Sequence, residues 1–316
     1  MSLKFRKGID EIFKLIYRIS HSKRYKHNRK RWPHVKITRG EFGQITDFIY
    51  RGNNIPIVDL KSIKNAFTGE LLIIASGPSI NTINFKQSST VTTLGVNGAY
   101  HLKNKVNFNL YVITDIHFFS QRPEIVKQII RDDQILLFVQ VDGLVKLIES
   151  FGKSNILCKI ALIEDAYKLT YGPIRTISEL ENDDIRNKSI FFYHDDFKYH
   201  EPIAFETNIF QGVFPAKTVV YWALQIVAFL GFKTIYLAGV DMNNFCLPRF
   251  YETANDITYS QLELDFESNI LPAFKHASNV LRKLNITVIN LSLNSAIDTT
   301  IFEKKNYDEI FYNKNN

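Results

Sequence analysis

Short apolar runs that end on small polar residues, separated by helical stretches, constrain this chain more than any other feature. Glu70-Leu-Leu-Ile-Ile-Ala75 runs directly into Ser76-Gly77-Pro78-Ser79. Val91 to Val96 ends at Asn97-Gly98, Phe108 to Thr114 at Asp115, and Thr234 to Val240 at Asp241. Ile135 to Val141 and Ile286 to Leu291 follow the same pattern, and Ile156 to Ile163 and Ser189 to Tyr193 follow it more weakly. Continuous apolar runs of this length read as strands buried on both faces. Between them, residues 122–131 and 142–151 read as helices. Ala216 to Leu230 is apolar on nearly every side, which marks a buried helix, and Gly231 stops it. Ile270, Phe274, Ala277, Leu281 and Leu284 give residues 262–284 a helical period, with Pro272 starting or kinking the helix. Strands alternating with helices predict an α/β fold, with a mostly parallel sheet covered by helices on both faces. Residues 196–215 and 243–261 read as irregular, as lids and binding loops often do.

Composition excludes several classes. With 45% hydrophobic residues and a net charge of +7 over 316 residues, the chain has enough apolar material for a large core. Two cysteines, Cys158 and Cys246, make no disulfide scaffold; both sit among apolar neighbours and are expected to be buried thiols in a reducing compartment. The longest apolar stretch, Val219 to Phe232, has 14 residues and contains Gln225. A spanning helix needs about 20. Asp10, Glu11, Lys14 and Arg18 interrupt the N-terminal segment, so it does not read as a signal peptide. The expected location is therefore the cytoplasm, with attachment to a membrane surface left open.

The charge is concentrated at one end. Residues 1–40 carry 13 Lys and Arg against two acids, a net +11, and the remaining 276 residues carry 26 against 30, a net −4. This divides the chain into a basic arm, 1–40, and a body, 41–316. In the arm, Phe5, Ile9, Ile12, Phe13, Ile16 and Ile19 follow the spacing of one helical face, and a polybasic run from His21 leads to Trp32. Three readings remain open: attachment to an anionic membrane surface, nucleic-acid binding, or a helix packed on the body followed by a solvated charge run.

In open α/β sheets, ligands bind beyond the carboxyl ends of the strands. Those ends carry Ser76, Gly77, Pro78 and Ser79, then Asn97 and Gly98, Asp115, and Gly239 and Asp241. A Ser-Gly-Pro-Ser turn after a strand can hold an anion on its N–H groups and hydroxyls, or it can simply be a turn. Asn97 is a nucleotide contact or a turn residue. Asp115 and Asp241 are ligand-binding groups or helix caps. His276 and His117 are candidate bases. No metal-ligand spacing occurs, and a Walker loop, a full G-x-G-x-x-G and a G-x-S-x-G elbow are all missing.

Four blocks carry a family resemblance: Ile73 to Ser79; Gly95 to Tyr100 with Tyr111 to Arg122; Thr218 to Asp241 with Arg249-Phe-Tyr-Glu252; and Ile270 to Phe274 with Ile289 to Ile297. In this order the chain resembles the lipopolysaccharide-core Kdo transferases of the WaaZ type. It is more distantly similar to bacterial CMP-sialic-acid sialyltransferases and motility-accessory glycosyltransferases. The resemblance implies a Rossmann-like, sialyltransferase-like glycosyltransferase fold. It also implies a CMP-activated 2-keto sugar acid, CMP-Kdo or a related CMP-sugar, as donor. Gly77 and Ser79 match the family's phosphate turn, with Ser76 and Pro78 beside them; Asn97 with Gly98, and Asp241 with Gly239, match its nucleotide contacts, and Asp115 matches the Kdo-transferase form of its strand end.

Such a transfer must hold a phosphate, place the donor carboxylate and take a proton from the acceptor hydroxyl. Arg249, with Tyr251, is the candidate for the donor carboxylate. His276, Asp115 and His117 are the candidate bases. No metal or other cofactor is expected. The implied acceptor is a lipid-anchored oligosaccharide of the lipopolysaccharide or lipooligosaccharide core, which residues 1–40 would meet at the inner face of the bacterial inner membrane. The competing readings are a sialic- or pseudaminic-type donor, a pterin pyrophosphokinase dependent on ATP and Mg²⁺, and a non-enzymatic nucleic-acid-binding protein, which the acidic body does not favour.

Overall fold

The computed structural model describes residues 3–85, 91–183, 189–193, 203–243, 245–253, 255–258 and 260–312, with side chains from residue 8 onward. Residues 196–202, 244, 254 and 259, in the two stretches read as irregular, lie outside the described residues, as do the side chains of Phe5, Arg6 and Lys7.

Three strands precede the main sheet: β1 (Val35–Arg39), β2 (Ile45–Tyr50) and β3 (Asn53–Ile55), paired antiparallel. The first strands of the main sheet follow: β4 (Glu70–Ile74), β5 (Thr92–Val96), β6 (Leu110–Ile113), β7 (Leu136–Gln140) and β8 (Lys159–Ile163). Then come β9 (Ile190–Phe192) and β10 (Ala204–Glu206), followed by β11 (Thr234–Ala238), β12 (Thr287–Asn290) and β13 (Glu303–Lys304). Eight of these form one parallel sheet in the order β13-β12-β11-β4-β5-β6-β7-β8. The chain lays down β4 to β8 in one direction. It then returns to the other side of β4, where Thr234 lies against Glu70 and Leu237 against Ile73.

Alternation along β4 shows why both faces need cover. Leu71 and Ile73 enter the core shared with the helices Val219–Leu230 and Leu271–Lys283. Leu72 and Ile74 enter the opposite core, with the helices Pro123–Arg131 and Val141–Phe151 and the β1–β3 sheet. All four of these residues are fully buried, as a strand between two helical layers requires. The fold is therefore the expected α/β architecture, a Rossmann-like parallel sheet with helices on both faces.

The helix Val219–Leu230 starts at Thr218, whose side chain accepts from Val220 N, and ends at Gly231 with φ +107. Buried Gln225 accepts from Glu206 N and Phe214 N and donates to Phe214 O and Tyr221 O, so its amide is fully satisfied inside the core. The expected helix over 262–284 breaks into Leu262–Asp265, a π turn at Phe266–Ile270, and Leu271–Lys283. Pro272, just after the π turn, has no N–H to give the ladder. The strand expected at Ser189–Tyr193 forms, but outside the main sheet: β9 pairs with β10, in a stretch read as irregular. Cys158 is buried, and that burial pushes its thiol up to about 12, whereas Cys246 is exposed, contrary to expectation.

The basic segment is largely docked. Helix Leu3–Ser20 turns Asp10, Phe13 and Tyr17 inward: Asp10 Oδ1 meets His34 Nε2 at 2.8 Å, and Phe13 and Tyr17 pack on Trp32. The polybasic run forms a 3-10 helix, Lys23–Lys30, held by Arg24 on Glu179 (2.7 Å) and by His27 on the Leu169 carbonyl (3.0 Å). Arg31 follows, gripping Asp142 through two bonds of 2.7 and 3.0 Å. The face read as one apolar stripe is wider than a single contact can cover. Its Ile12, Ile16 and Ile19 are left outside, 59, 44 and 78% exposed, and Leu15, not counted in that stripe, stands with them at 53%. Among the described residues, no helix is long and apolar enough to cross a membrane.

Candidate functional site at the switch point of the sheet

Strand order reverses between β4 and β11, and sheets of this kind hold ligands beyond the carboxyl ends of the strands at such a point. Two turns meet there. After β11, Gly239 takes φ +73 and delivers Asp241, which is 7% exposed. After β4, Ser76-Gly77 leads into a 3-10 turn, Pro78–Thr82. The Asp241 carboxylate accepts from Ser79 N at 2.9 Å and from Ser79 Oγ at 2.5 Å. Ser79 Oγ also lies 2.8 Å from Ser292 Oγ, just past β12. Gly77 N donates to Gly239 O at 2.9 Å. A Cβ on Gly77 would collide with the Asp241 carboxylate and the Gly239 carbonyl, so this glycine is required by close packing of the two turns. Of the two readings left open for this turn, an anion cradle on free N–H groups or a plain turn, the first loses two donors: the N–H groups of Gly77 and Ser79 are committed to the turn after β11, and Pro78 has none.

The next turn follows β5. Asn97 has φ +46, in the left-handed region, and its carbonyl accepts from Tyr111 Oη at 2.7 Å. Its side-chain oxygen is buried and has no hydrogen-bond partner. A buried acceptor left unpaired costs about 1–3 kcal/mol, so it stands ready for a donor. Gly98 has no room for a side chain because the Tyr251 ring lies on it.

Residues 249–253 bridge these turns, with 255–258 packed behind them. Phe250 N donates to Ser76 O at 3.2 Å. Tyr251 stacks on His101, ring centroids 4.8 Å apart, with the Arg122 guanidinium 5.7 Å from its ring centre. Glu252 is buried and binds two arginines, Arg249 Nη1 at 2.6 Å and Arg122 Nη2 at 3.2 Å. Burial favours its neutral form, but the Arg249 N–H, the Arg249 guanidinium and the Thr258 N–H outweigh that and hold the carboxyl below its ordinary range. Arg122 also holds Asp256, and its Nε is buried without a partner. Burial, reinforced by Arg122, lowers the His101 imidazole. Arg249, expected to be available to a donor carboxylate, is thus engaged on one nitrogen by Glu252 and the Thr258 carbonyl (3.2 Å).

Asp115 and His117 stand past β6, both exposed, with Asp115 Oδ1 accepting from His117 N at 2.8 Å. His276 is elsewhere. It is buried in the helix Leu271–Lys283, with Nε2 2.7 Å from the Phe191 carbonyl and its ring against Tyr193. Because a carbonyl only accepts, Nε2 carries the proton there. The structure therefore gathers Ser76 to Ser79, Asn97, Gly98, Gly239, Asp241, Arg249 and Tyr251 around adjoining strand ends, sets Asp115 and His117 at the neighbouring one, and fixes His276 to β9.

Sequence reasoning assigned no role to His101, Arg122, Glu252 or Ser292. Glu252 carried one local signal, its Arg-x-x-Glu spacing from Arg249. The others act through contacts distant in sequence.

A family model described as 3-deoxy-D-manno-octulosonic acid transferase WaaZ matches residues 56–306, which take in every strand of the parallel sheet. A probable 3-deoxy-manno-octulosonic acid transferase of Escherichia coli (strain K12) is 26% identical over 252 residues, 77% of this chain and 86% of that protein. Another of the same description, from Salmonella typhimurium (strain LT2), is 26% identical over 270 residues, 81% of this chain and 95% of that protein. No solved structure matches the chain. With the match extending over the whole sheet and each of its strand-end turns, the chain belongs to the WaaZ family of 3-deoxy-D-manno-octulosonic acid transferases, which are glycosyltransferases.

Proposed function

We propose that this protein moves Kdo from CMP-Kdo to a lipid-anchored, anionic oligosaccharide of the lipopolysaccharide core. The family match over residues 56–306 carries the reading. The unpaired buried oxygen of Asn97 at the switch point supports a hydrogen-bonding ligand there. In the reaction the bond from the anomeric carbon of Kdo to the CMP phosphate breaks, the acceptor oxygen bonds to that carbon, and CMP leaves with the bonding electron pair. The acceptor hydroxyl gives its proton to a base. We assign that base to Asp115 or His117, which are exposed at a strand end; His276, held by β9, fits a positioning role better.

On this reading Ser76 and the turn through Ser79 face the donor phosphate, with Gly77 and Pro78 setting the turn. Asn97 and Gly98 face the nucleotide. Gly239 and Asp241 fix the turn from the β11 side, and the unengaged edge of Arg249, beside Tyr251, meets the donor carboxylate. The transfer needs no metal or cofactor, since CMP is itself a competent leaving group. The outward stripe Ile12, Leu15, Ile16 and Ile19, among exposed Arg18, Lys23 and Lys26, rests on an anionic membrane at its cytoplasmic face.

Thermal melting with CMP, CDP, UDP, ADP and GDP tests the donor. A ligand that binds only the native state raises the melting temperature by mass action. CMP is expected to stabilise selectively, and CMP-Kdo to yield product with a core acceptor in the presence of chelator. A preference for ADP or UDP would overturn the donor assignment.

A further inference from the structure

A second cleft, of about 260 Å³, lies where the basic segment meets the body. Its walls come from helix Leu3–Ser20, the polybasic run, the end of β2 and the helix Val141–Phe151. Ile116, flanked by Asp115 and His117, lines it as well, so it adjoins the strand end that carries both candidate bases.

The charges of this cleft are not balanced. All three of its acids are engaged internally: Asp142 with Arg31, Asp10 with His34 and Arg51, and Glu149 with the Tyr50 hydroxyl at 2.6 Å. Among the described residues, Arg29, Lys30 and Lys146 line the same cleft and form no ion pair. Their positive field is therefore unspent and directed at one small volume. Trp32 stands in the same wall, its position fixed by edge contact with Phe13 at 5.6 Å. A flat aromatic ring beside free cations suits a sugar that presents its C–H face to the ring and an anionic substituent to the cations. The volume is just under the range of about 300–1,000 Å³ usual for ligand pockets and suits a single sugar ring.

We propose that this cleft binds an anionic sugar, a pyranose bearing a carboxylate or a phosphate, and so seats the acceptor beside Asp115 and His117. This deepens, and rests on, the reading of the protein as a transferase with an anionic glycan acceptor. Arg29, Lys30, Trp32 and Arg51 all precede residue 56, where the family match begins, so the segment ahead of that match supplies most of this site, nine of its fourteen lining residues. The exposed stripe of Ile12, Leu15, Ile16 and Ile19 is on the same helix as Asp10 and Lys14 of the cleft wall, which places the site at the edge of the proposed lipid contact.

The test is a tryptophan-emission titration of the full chain with Kdo, glucose 6-phosphate and glucose. The chain has two tryptophans, and Trp222 is buried in the helix Val219–Leu230, so Trp32 is the reporter. A saturable change is expected with at least one anionic sugar and none with glucose; which anion responds decides between carboxylate and phosphate. Trp32→Phe is expected to abolish the change. Arg29→Gln, Lys30→Gln and Lys146→Gln together are expected to raise the half-saturation at least tenfold. The same charge removed at Lys159, Lys275 and Lys283, all exposed elsewhere, is expected to shift it less than twofold. An equal response to glucose, no response to either anion, an anion response that the cleft variant leaves unchanged, or tighter binding of a short oligothymidylate would each overturn the proposal. Melting with CMP on the same samples separates the two readings. A failed sugar response with CMP stabilisation intact removes this cleft alone, and the reverse removes the donor assignment alone.

Discussion

The carboxylate of Asp241 holds Ser79 at two points, its backbone N–H and its hydroxyl, and so joins the ends of β11 and β4 where the strand order turns back. Both are hydrogen bonds to a charged group in a confined space, a class worth about 1.5–3 kcal/mol. Ser79→Ala, Asp241→Asn and the double variant should therefore couple by about 1 kcal/mol or more in denaturant unfolding, and each should reduce transfer activity. Strictly additive losses would show that the two residues do not act as a pair.

Glu252 gives the segment over the strand-end turns a definite response to acid. Its folded carboxyl lies below the ordinary value of 4.5, so its stabilisation is complete above that value. It is lost as the pH falls through the lower folded value. Asp256 is shifted in the same direction by the Thr253 N–H and by Arg122. Melting followed from pH 7 down to pH 3 should steepen below about 4.5. Glu252→Gln should flatten that limb and cost on the order of 3 kcal/mol at neutral pH, because two arginines lose their buried partner. An unchanged acid limb would rule this account out.

The division of labour between the candidate bases can be read from kinetics. Asp115→Asn or His117→Asn should lower kcat by about 10²–10⁴-fold, with little change in melting, since both side chains are exposed. His276→Ala should do the opposite. Losing the bond to Phe191 should cost about 1–3 kcal/mol, while the folded fraction keeps kcat within a few-fold. A kcat collapse confined to His276→Ala, with the acidic limb of the pH profile gone, would return the base to His276.

The outward stripe makes a prediction about sedimentation. Full-length protein should pellet with vesicles rich in anionic phosphatidylglycerol, not with neutral phosphatidylcholine vesicles, and less so at high salt. Ile12→Glu with Ile16→Glu should abolish pelleting without lowering the melting temperature, because both side chains already face outward at 59 and 44% exposure. Unchanged pelleting would place the membrane contact elsewhere or exclude it.

What the sequence disclosed follows from range. β4 to β7, β11 and β12 were legible because each is a largely apolar run closed by polar residues, a pattern local to a few positions, and β8 less so because Lys159 interrupts its run. β1 was hidden because Val35-Lys-Ile-Thr-Arg39 alternates within a charged segment, and its pairing with β2 is set by burial of Val35 and Phe48 beneath the body. The division of the first helix into an inward and an outward apolar stripe depends on Trp32 and His34, which no periodicity can place. The strand-end residues were legible as a set, but their engagement was not. Whether Ser79 N–H is free or taken is decided by Asp241, 162 positions away.

That separation has a consequence during synthesis. β4 is at the heart of the sheet, yet of its two neighbours only β5 follows closely; β11 begins at Thr234. While the ribosome makes the intervening chain, one edge of a strand apolar from Leu71 to Ile74 has no mate and offers its backbone groups to any passing partner. The nascent protein must carry this open seam until about the last quarter of the chain emerges, and the switch-point turns can close only then. A truncation before β11 would therefore leave a half-sheet that seeks other strands, and chaperone dependence should be greatest in that interval.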